Sequence, residues 1–336
     1  MRNNYKLLIT GNAGMIGSVL ADYFYKLGFS IVGIDDLSGG FKRNVQSFVR
    51  FYPNSIEDAK SINNIFEIEK PKYVIHTACF AAECLSPWIR GFLAKNMVLG
   101  TTNIINASVN NNIEKIIHFS SIARYGDGKP PFKETDSPQP KDIYGIFKLT
   151  NELDLKEAYD HFGLKYSIVA GHNILSPIQN FEDKFRNVAA IFIRRFLNNE
   201  NLQIFGDGLQ KRCFTDAKYL CDPIFKLLKN FNGELFNIGS DKFYTIEELA
   251  KIVLFVGRGL EIESQSKIEY LEPRIEVKEA IADHSKAKNL LGFKDKTDLE
   301  DLIRQMFESA IDLKITGRTS TMDYEINKNM YSYWKI

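Results

Sequence analysis

Two side chains four residues apart give the first chemical suggestion. Tyr144 and Lys148 stand in the run Y-G-I-F-K, and residues at i and i+4 of a helix project from one face. An ammonium beside a phenol stabilises the phenolate, so Lys148 is expected to bring the Tyr144 hydroxyl below its ordinary value of about 10. A tyrosine tuned this way removes the proton from a substrate hydroxyl while hydride leaves the same carbon. Tyr-x-x-x-Lys is common by chance, so a second element matters. The apolar run Lys115 to Ser120 (KIIHFS) ends in Ser120 and Ser121. If that run is a strand, Ser121 lies at the carboxyl edge of the sheet, where α/β proteins bind ligands. It could then hydrogen-bond the same hydroxyl.

A glycine loop stands at the front of the chain. Thr10 is followed by G-N-A-G-M-I-G, with glycines at 11, 14 and 17. Gly11 permits a tight turn, Gly14 lets the backbone approach a diphosphate, and Gly17 lets a helix pack closely on the sheet. The diphosphate would rest on N–H groups at the helix N-terminus. Asp35 closes the next apolar run at the spacing this motif requires. Its carboxylate accepts from ribose hydroxyls and repels a 2′-phosphate, which favours NAD over NADP, although Lys42 and Arg43 lie close by. A solvated turn residue is the alternative for Asp35.

These groups need a scaffold, and the apolar pattern supplies one. Short apolar runs at Tyr5 to Thr10, Phe29 to Asp35, Tyr73 to Thr77, Lys115 to Ser120 and Lys165 to Ala170 read as buried strands. They alternate with helical patterns at Met15 to Leu27, Ile62 to Glu69, Asn96 to Asn110 and Tyr144 to His161. Such alternation implies βαβ units and a doubly wound parallel sheet, an α/β fold of Rossmann type. The pattern loosens after Ser176, with helices expected at Val188 to Leu197 and Ile246 to Val256. We therefore expect a cofactor domain over 1–175, a smaller substrate-binding lobe over 176–315 with some segments returning to the first, and a tail over 316–336. The tail is expected to pack or fray without a role.

The composition is ordinary for a globular chain of 336 residues: 43 basic and 42 acidic residues give a net charge of +1, so bulk charge offers nucleic acid or an anionic membrane nothing. No apolar stretch reaches a membrane span of about 18 residues. Four cysteines without a C-x-x-C pair suit reduced thiols in the cytoplasm. The five histidines show no metal-ligand spacing, so no metal is expected. His172 is set apart because it precedes Asn173, and Glu83 as the first acidic group after the Tyr73 to Thr77 strand.

Taken together, GNAGMIG, DDLSGG, HTACFAAE, KNMVLGTTNII, SSIARYG, YGIFK, GHNILSP, IFGDGLQKRCF and EPRIEVKEAIADHSKAKNLLGF resemble the extended short-chain dehydrogenase/reductases. The likeness is to the nucleotide-sugar epimerase/dehydratase group around the UDP-glucose 4-epimerases, and it runs from about Lys6 to about Ile311. It implies that Gly11, Gly14, Met15, Ile16 and Gly17 hold the diphosphate of NAD, that Asp35 holds the ribose, and that Ile56, Thr77, Ala78, Cys79 and Asn96 line the cofactor. Tyr144 and Lys148 would be the catalytic pair, also touching the cofactor, with Ser121 assisting and binding substrate. Asn173, Asn187, Val188, Phe205, Arg212 and Arg274 would bind the nucleotide sugar, the arginines at its diphosphate. The helices at Asn96 to Asn110 and Tyr144 to His161 would pair across a two-fold axis as a homodimer. There are departures: Ala170 and Gly171 replace an Arg-Pro, Arg124 adds a charge near the site, and Asp216 falls where relatives are apolar.

The resemblance implies a UDP-hexose-like substrate and a 4-epimerase, which needs only Ser, Tyr, Lys and retained NAD. A one-way 4-dehydrogenase or 4-ketoreductase would use the same residues. A 4,6-dehydratase takes its acid and base directly after the strand-end serine, where this chain has Ile122 and Ala123; hexuronate decarboxylases, which carry a Glu there, are disfavoured likewise. An idle NAD-binding protein would have lost one of the three residues.

Overall fold

The structure is a computed structural model that describes residues 5–183, 185–313 and 323–331. The first half runs β1 (Lys6–Thr10), α1 (Met15–Lys26), β2 (Ser30–Ile34), β3 (Arg50–Tyr52), α2 (Ala59–Glu69) and β4 (Tyr73–His76). A short helix α3 (Arg90–Leu93) then leads through a π-helical turn (Ala94–Leu99) into α4 (Gly100–Asn110), followed by β5 (Lys115–Ser121), α5 (Ile143–Phe162) and β6 (Tyr166–Gly171). The second half adds β7 (Ile174–Leu175), α6 (Val188–Leu197), β8 (Leu202–Phe205), β9 (Lys211–Cys213), β10 (Thr215–Asp216), α7 (Cys221–Lys229), β11 (Glu234–Ile238), β12 (Phe243–Thr245), α8 (Ile246–Gly259), β13 (Ile268–Leu271), β14 (Glu279–Ala280), α9 (Ser285–Leu291) and α10 (Leu299–Ile311).

Seven parallel strands form the main sheet in the order β11-β6-β5-β4-β1-β2-β3. Alternation along each strand splits the apolar residues between its faces. Leu7 and Ile9 pack with Phe24 of α1, Ile224 and Leu227 of α7 and Leu291 of α9. Leu8 points the other way, to Ile62 and Phe66 of α2, Ile104 of α4 and Leu155 of α5. Each of these side chains is buried, which stabilises the fold by about 1.5–3 kcal/mol apiece. The chain thus forms the expected doubly wound Rossmann-type sheet. A smaller C-terminal lobe has its own core, in which α6, α8 and α10 pack through Phe196, Val253 and Phe307. Segments around α7, β11 and α9 return to the main sheet. Among the described residues no helix is long and apolar enough to cross a membrane.

Three local devices aim the parts that matter below. Gly17 lies so close to the turn before it that a Cβ there would stand 2.3 Å from Gly11 O, which seats α1 directly behind the glycine loop. Asp142 caps α5 by accepting from Gly145 N at 2.8 Å. Gly145 also lets α5 start against the turn that follows β5, since an added Cβ would meet Ala123 O at 2.5 Å.

Candidate active site

A cavity of about 840 Å³ opens between the carboxyl ends of the main sheet and the smaller lobe. Every candidate residue lines it: Gly11, Gly14, Met15, Ile16, Gly17, Asp35, Ile56, Thr77, Ala78, Cys79, Asn96, Ser121, Tyr144, Lys148, Asn173, Asn187, Val188, Phe205, Arg212 and Arg274.

At one end the glycine loop opens into α1, whose N-terminus has no side-chain cap. Asp35 braces this loop: its Oδ2 accepts from Ala13 N at 2.9 Å and its Oδ1 from Leu37 N at 2.8 Å. Each oxygen still has a second lone pair for a ribose hydroxyl. Burial raises the carboxyl above its usual range, and these backbone donors oppose that. A narrow glycine turn, an uncapped helix start facing the cavity and a carboxylate at the end of β2 fit a dinucleotide such as NAD. Asn96 spends its Oδ1 on Phe80 N at 2.8 Å, so it shapes this wall from within. Lys42 and Arg43, which kept NADP in view, lie over the rings of Phe51 and Phe41.

In the middle, Ser121 accepts from Ala123 N at 3.1 Å and lines the cavity with Tyr144. The Lys148 ammonium sits 5.7 Å from the centre of the Tyr144 ring and donates to Phe119 O at 2.6 Å. The expectation that Lys148 brings the phenol below 10 is not met in this state. Burial pushes Tyr144 well above it, with Cys79, Glu83 and Asp142 adding to the rise and Ser121 opposing it.

At the far end Arg212 and Arg274 converge on one carboxylate, Glu276, at 3.1 and 3.3 Å. Arg212 also donates to the carbonyls of Lys211 and Val277 at 2.9 and 2.8 Å. The Arg274 guanidinium lies 4.6 Å from the centre of the Phe205 ring. Asn187 caps α6 by accepting from Ala189 N at 3.0 Å, which turns that helix start toward the cavity.

Two departures come out differently from expectation. Arg124 does not line the cavity: it is buried, with its Nε 2.8 Å from Glu152 Oε2, so its charge is neutralised inside the fold. Asp216 is likewise structural, capping the turn at Ala217–Leu220 and pairing with Lys218 at 2.7 Å. Gly171 does line the cavity.

Several lining groups escaped the sequence reading. Asp142 is one; its place two residues before Tyr144 was the available signal. Glu276 is another, inside a recognised motif but with no sign of its two arginine partners. Tyr331 and Trp88 also line the cavity, their rings 5.5 Å apart, so the tail takes part in the site. Tyr333 and Trp334 lie outside the described residues. His172, which the sequence had set apart, faces the cavity and is buried against His284, Nε2 to Nε2 at 3.0 Å.

The model of the NAD dependent epimerase/dehydratase family matches residues 7–239. A putative UDP-glucose 4-epimerase of Methanocaldococcus jannaschii is 30% identical over 303 residues, 89% of this chain and 96% of that protein. A UDP-N-acetyl-alpha-D-glucosaminuronate decarboxylase of Bacillus cytotoxicus is 31% identical over 265 residues, 73% of this chain and 78% of that one. Among solved structures, the UDP-glucose 4-epimerase of Thermotoga maritima with UDP-glucose superposes with a TM-score of 0.84 at 30% identity, covering 90% of this chain and 98% of that one.

Proposed function

The chain belongs to the NAD-dependent epimerase/dehydratase family, and on that premise we propose that it is a nucleotide-sugar 4-epimerase, an isomerase acting on a UDP-hexose-like substrate in carbohydrate biosynthesis. The observation that carries this is the placement of Ser121, Tyr144 and Lys148 between the glycine loop and the two arginines of one cavity. A sugar spanning that gap presents its ring to the tyrosine and its diphosphate to the guanidinium groups, which suit phosphate oxygens.

Gly11 to Gly17 and Asp35 would hold NAD, which would supply a reversible hydride acceptor and a positive charge opposing the burial that holds the Tyr144 proton on. The chain's own residues manage the proton. Tyr144 accepts it from the C4 hydroxyl and later returns it, so the cycle is proton-neutral. Ser121, fixed by Ala123 N, orients that hydroxyl. Lys148, anchored on Phe119 O, keeps a positive charge beside the phenol. Ile122 and Ala123 follow Ser121 along the wall and transfer no proton, which disfavours elimination chemistry from that position.

We assign the cofactor to the part formed by 1–175 and the nucleotide sugar mainly to the lobe within 176–315. The partner is a second copy of the chain, docked through α4 and α5. Four free thiols, Cys213 and Cys221 fully buried, support a reducing compartment, the cytoplasm.

The test is direct. The purified protein should carry NAD and interconvert UDP-glucose and UDP-galactose, followed by proton NMR. Tyr144→Phe should lower kcat by at least about 100-fold while NAD stays bound. Near-normal turnover in that variant would remove Tyr144 from its role. Accumulation of a 4-keto or 4-keto-6-deoxy sugar by the wild type would replace the epimerase with a dehydrogenase or a dehydratase.

A further inference from the structure

Glu83 follows the loop after β4, far in sequence from α5, yet it hydrogen-bonds Asp142, the residue that caps that helix two positions before Tyr144. Both carboxyls line the cavity, to which the Glu83 side chain is exposed. It shares that cavity with Tyr144 and with Arg212 and Glu276. That places it along the span a sugar ring must occupy, between the reacting hydroxyl and the diphosphate. Two carboxyls in contact in an enclosed site share a proton, because ionising both would set two negative charges side by side. Asp142 already accepts from a backbone N–H, so it is the ionised partner, and Glu83 carries the proton.

We propose that the Glu83–Asp142 pair determines which sugars the cleft admits: it accepts the hydroxyl or amide donors of a neutral hexose and turns away a hexuronate, whose carboxylate would lie against it. The inference rests on the nucleotide-sugar reading and deepens it. The positive charges in reach do not relieve the repulsion. Arg212 and Arg274 are engaged by Glu276, and by the proposed function they are destined for the diphosphate.

The remaining groups around Glu83 set the pH dependence. They are Asp142 and Tyr144 on α5, Arg212 on β9, Arg274 and Glu276 in the loop before β14, and Cys84 beside it. Burial pushes Cys84 up to about 11, so it holds its proton near neutrality, and Tyr144, whose charge follows the bound cofactor, is common to wild type and Glu83→Gln and drops out of their comparison. The arginines stay charged. Enclosure and Asp142 raise Glu83 to about 7, so it changes charge there. Above that value the pair carries a second negative charge, and discrimination should sharpen.

Calorimetric binding of UDP-glucose and UDP-glucuronate to the NAD-loaded protein tests this without relying on turnover. Wild type should prefer UDP-glucose by at least about 100-fold at high pH. That ratio should shrink as pH falls through about 7. Glu83→Gln keeps the shape and removes the charge; it should cut the ratio about tenfold or more and make it insensitive to pH. NAD content and UDP affinity of the variant report that the fold is intact. An unchanged ratio in a variant that binds UDP normally would overturn the proposal, as would a wild type that binds the two sugars equally. Failure of wild type to bind UDP at all would instead sink the nucleotide-sugar reading.

Discussion

His76 lies inside the main sheet with Nδ1 2.6 Å from Thr10 Oγ1 and Nε2 2.9 Å from Thr101 Oγ1. The ring of His118 is 5.3 Å away, and neither of its nitrogens has a partner among the described residues. Hydroxyls satisfy a neutral imidazole, and burial with Lys148 nearby makes the charged form costly. His76 is held down to about 3, His118 well below its usual value, and His172 also to about 3. In the unfolded chain all three would titrate near 6.5, so unfolding in mild acid takes up protons. Their stabilisation is complete above about 6.5 and is lost as pH falls toward 3. Three such groups give a slope of about 4 kcal/mol per pH unit at most. The melting temperature should therefore fall between pH 6.5 and 5, with calorimetry in buffers of different ionisation heat reporting net proton uptake on unfolding, since these histidines and His284 take up more than Glu83 gives back. A flat melting temperature over that window would refute it. At this scale the sequence read well wherever spacing encodes geometry, as for Tyr144 and Lys148 on one helix face. It read poorly wherever chemistry needs two distant segments. Nothing near Glu83 announces Asp142, and nothing near Arg124 announces Glu152.

Helices with long periodic faces appeared where the pattern put them, α5 and α6 within a residue or two. In the main sheet the strands missed were β3, three residues at the sheet edge, and β11, whose ELFNI run opens on a charge and finds its place only by pairing with β6; the short strands of the smaller sheets were missed as well. Edge position and tertiary pairing leave little trace in local sequence. The helix expected from Asn96 starts earlier, at Arg90, and passes through the π-helical turn that carries Asn96 against Phe80; such turns are rare and often mark functional sites. Thr102 of α4 donates to Asp154 of α5 at 2.9 Å, locking the two helices together. Their outer surface then shows Leu99, Ile146 and Leu153, at 47%, 40% and 59% exposure. Ile146 and Leu153 are two turns apart on one stripe, an apolar seam suited to a partner copy. Leu153→Glu should shift the proposed dimer to monomer in light scattering at micromolar concentration, with its fold intact because the side chain faces outward. A wild type already monomeric there would exclude this dimer.

The molecule as a whole closes its cleft with pieces drawn from three distant parts of the chain. Residues 88–92 form one lip, and 274–276 another. The stretch 323–331 returns across both. Glu325 accepts from Gly91 N and Phe92 N at 2.6 Å each, capping a helix start that no residue of its own caps. Trp88 Nε1 donates to Lys328 O at 3.1 Å, and Tyr331 accepts from Ile275 N at 3.1 Å while its ring packs on Trp88. A polar tail with aromatics near its end gave no sign of this in the sequence, because the bonds to 88–92 join residues 233 to 240 apart and that to Ile275 residues 56 apart. Tyr331, Trp88 and Ile275 border the cavity beside Arg274, at the end assigned to the nucleotide sugar, while the glycine loop lies at the other. The tail should therefore act on the sugar nucleotide and leave the cofactor alone. Tyr331→Ala should raise KM for the nucleotide sugar about tenfold, equivalent to about 1.4 kcal/mol. NAD content should match the wild type, and kcat should change little, since the residues that move the proton are untouched. Steady-state kinetics together with NAD content measured after denaturation would separate the outcomes. An unchanged KM would show that the tail only braces the lips, and loss of NAD would show that it holds the two ends of the cleft together.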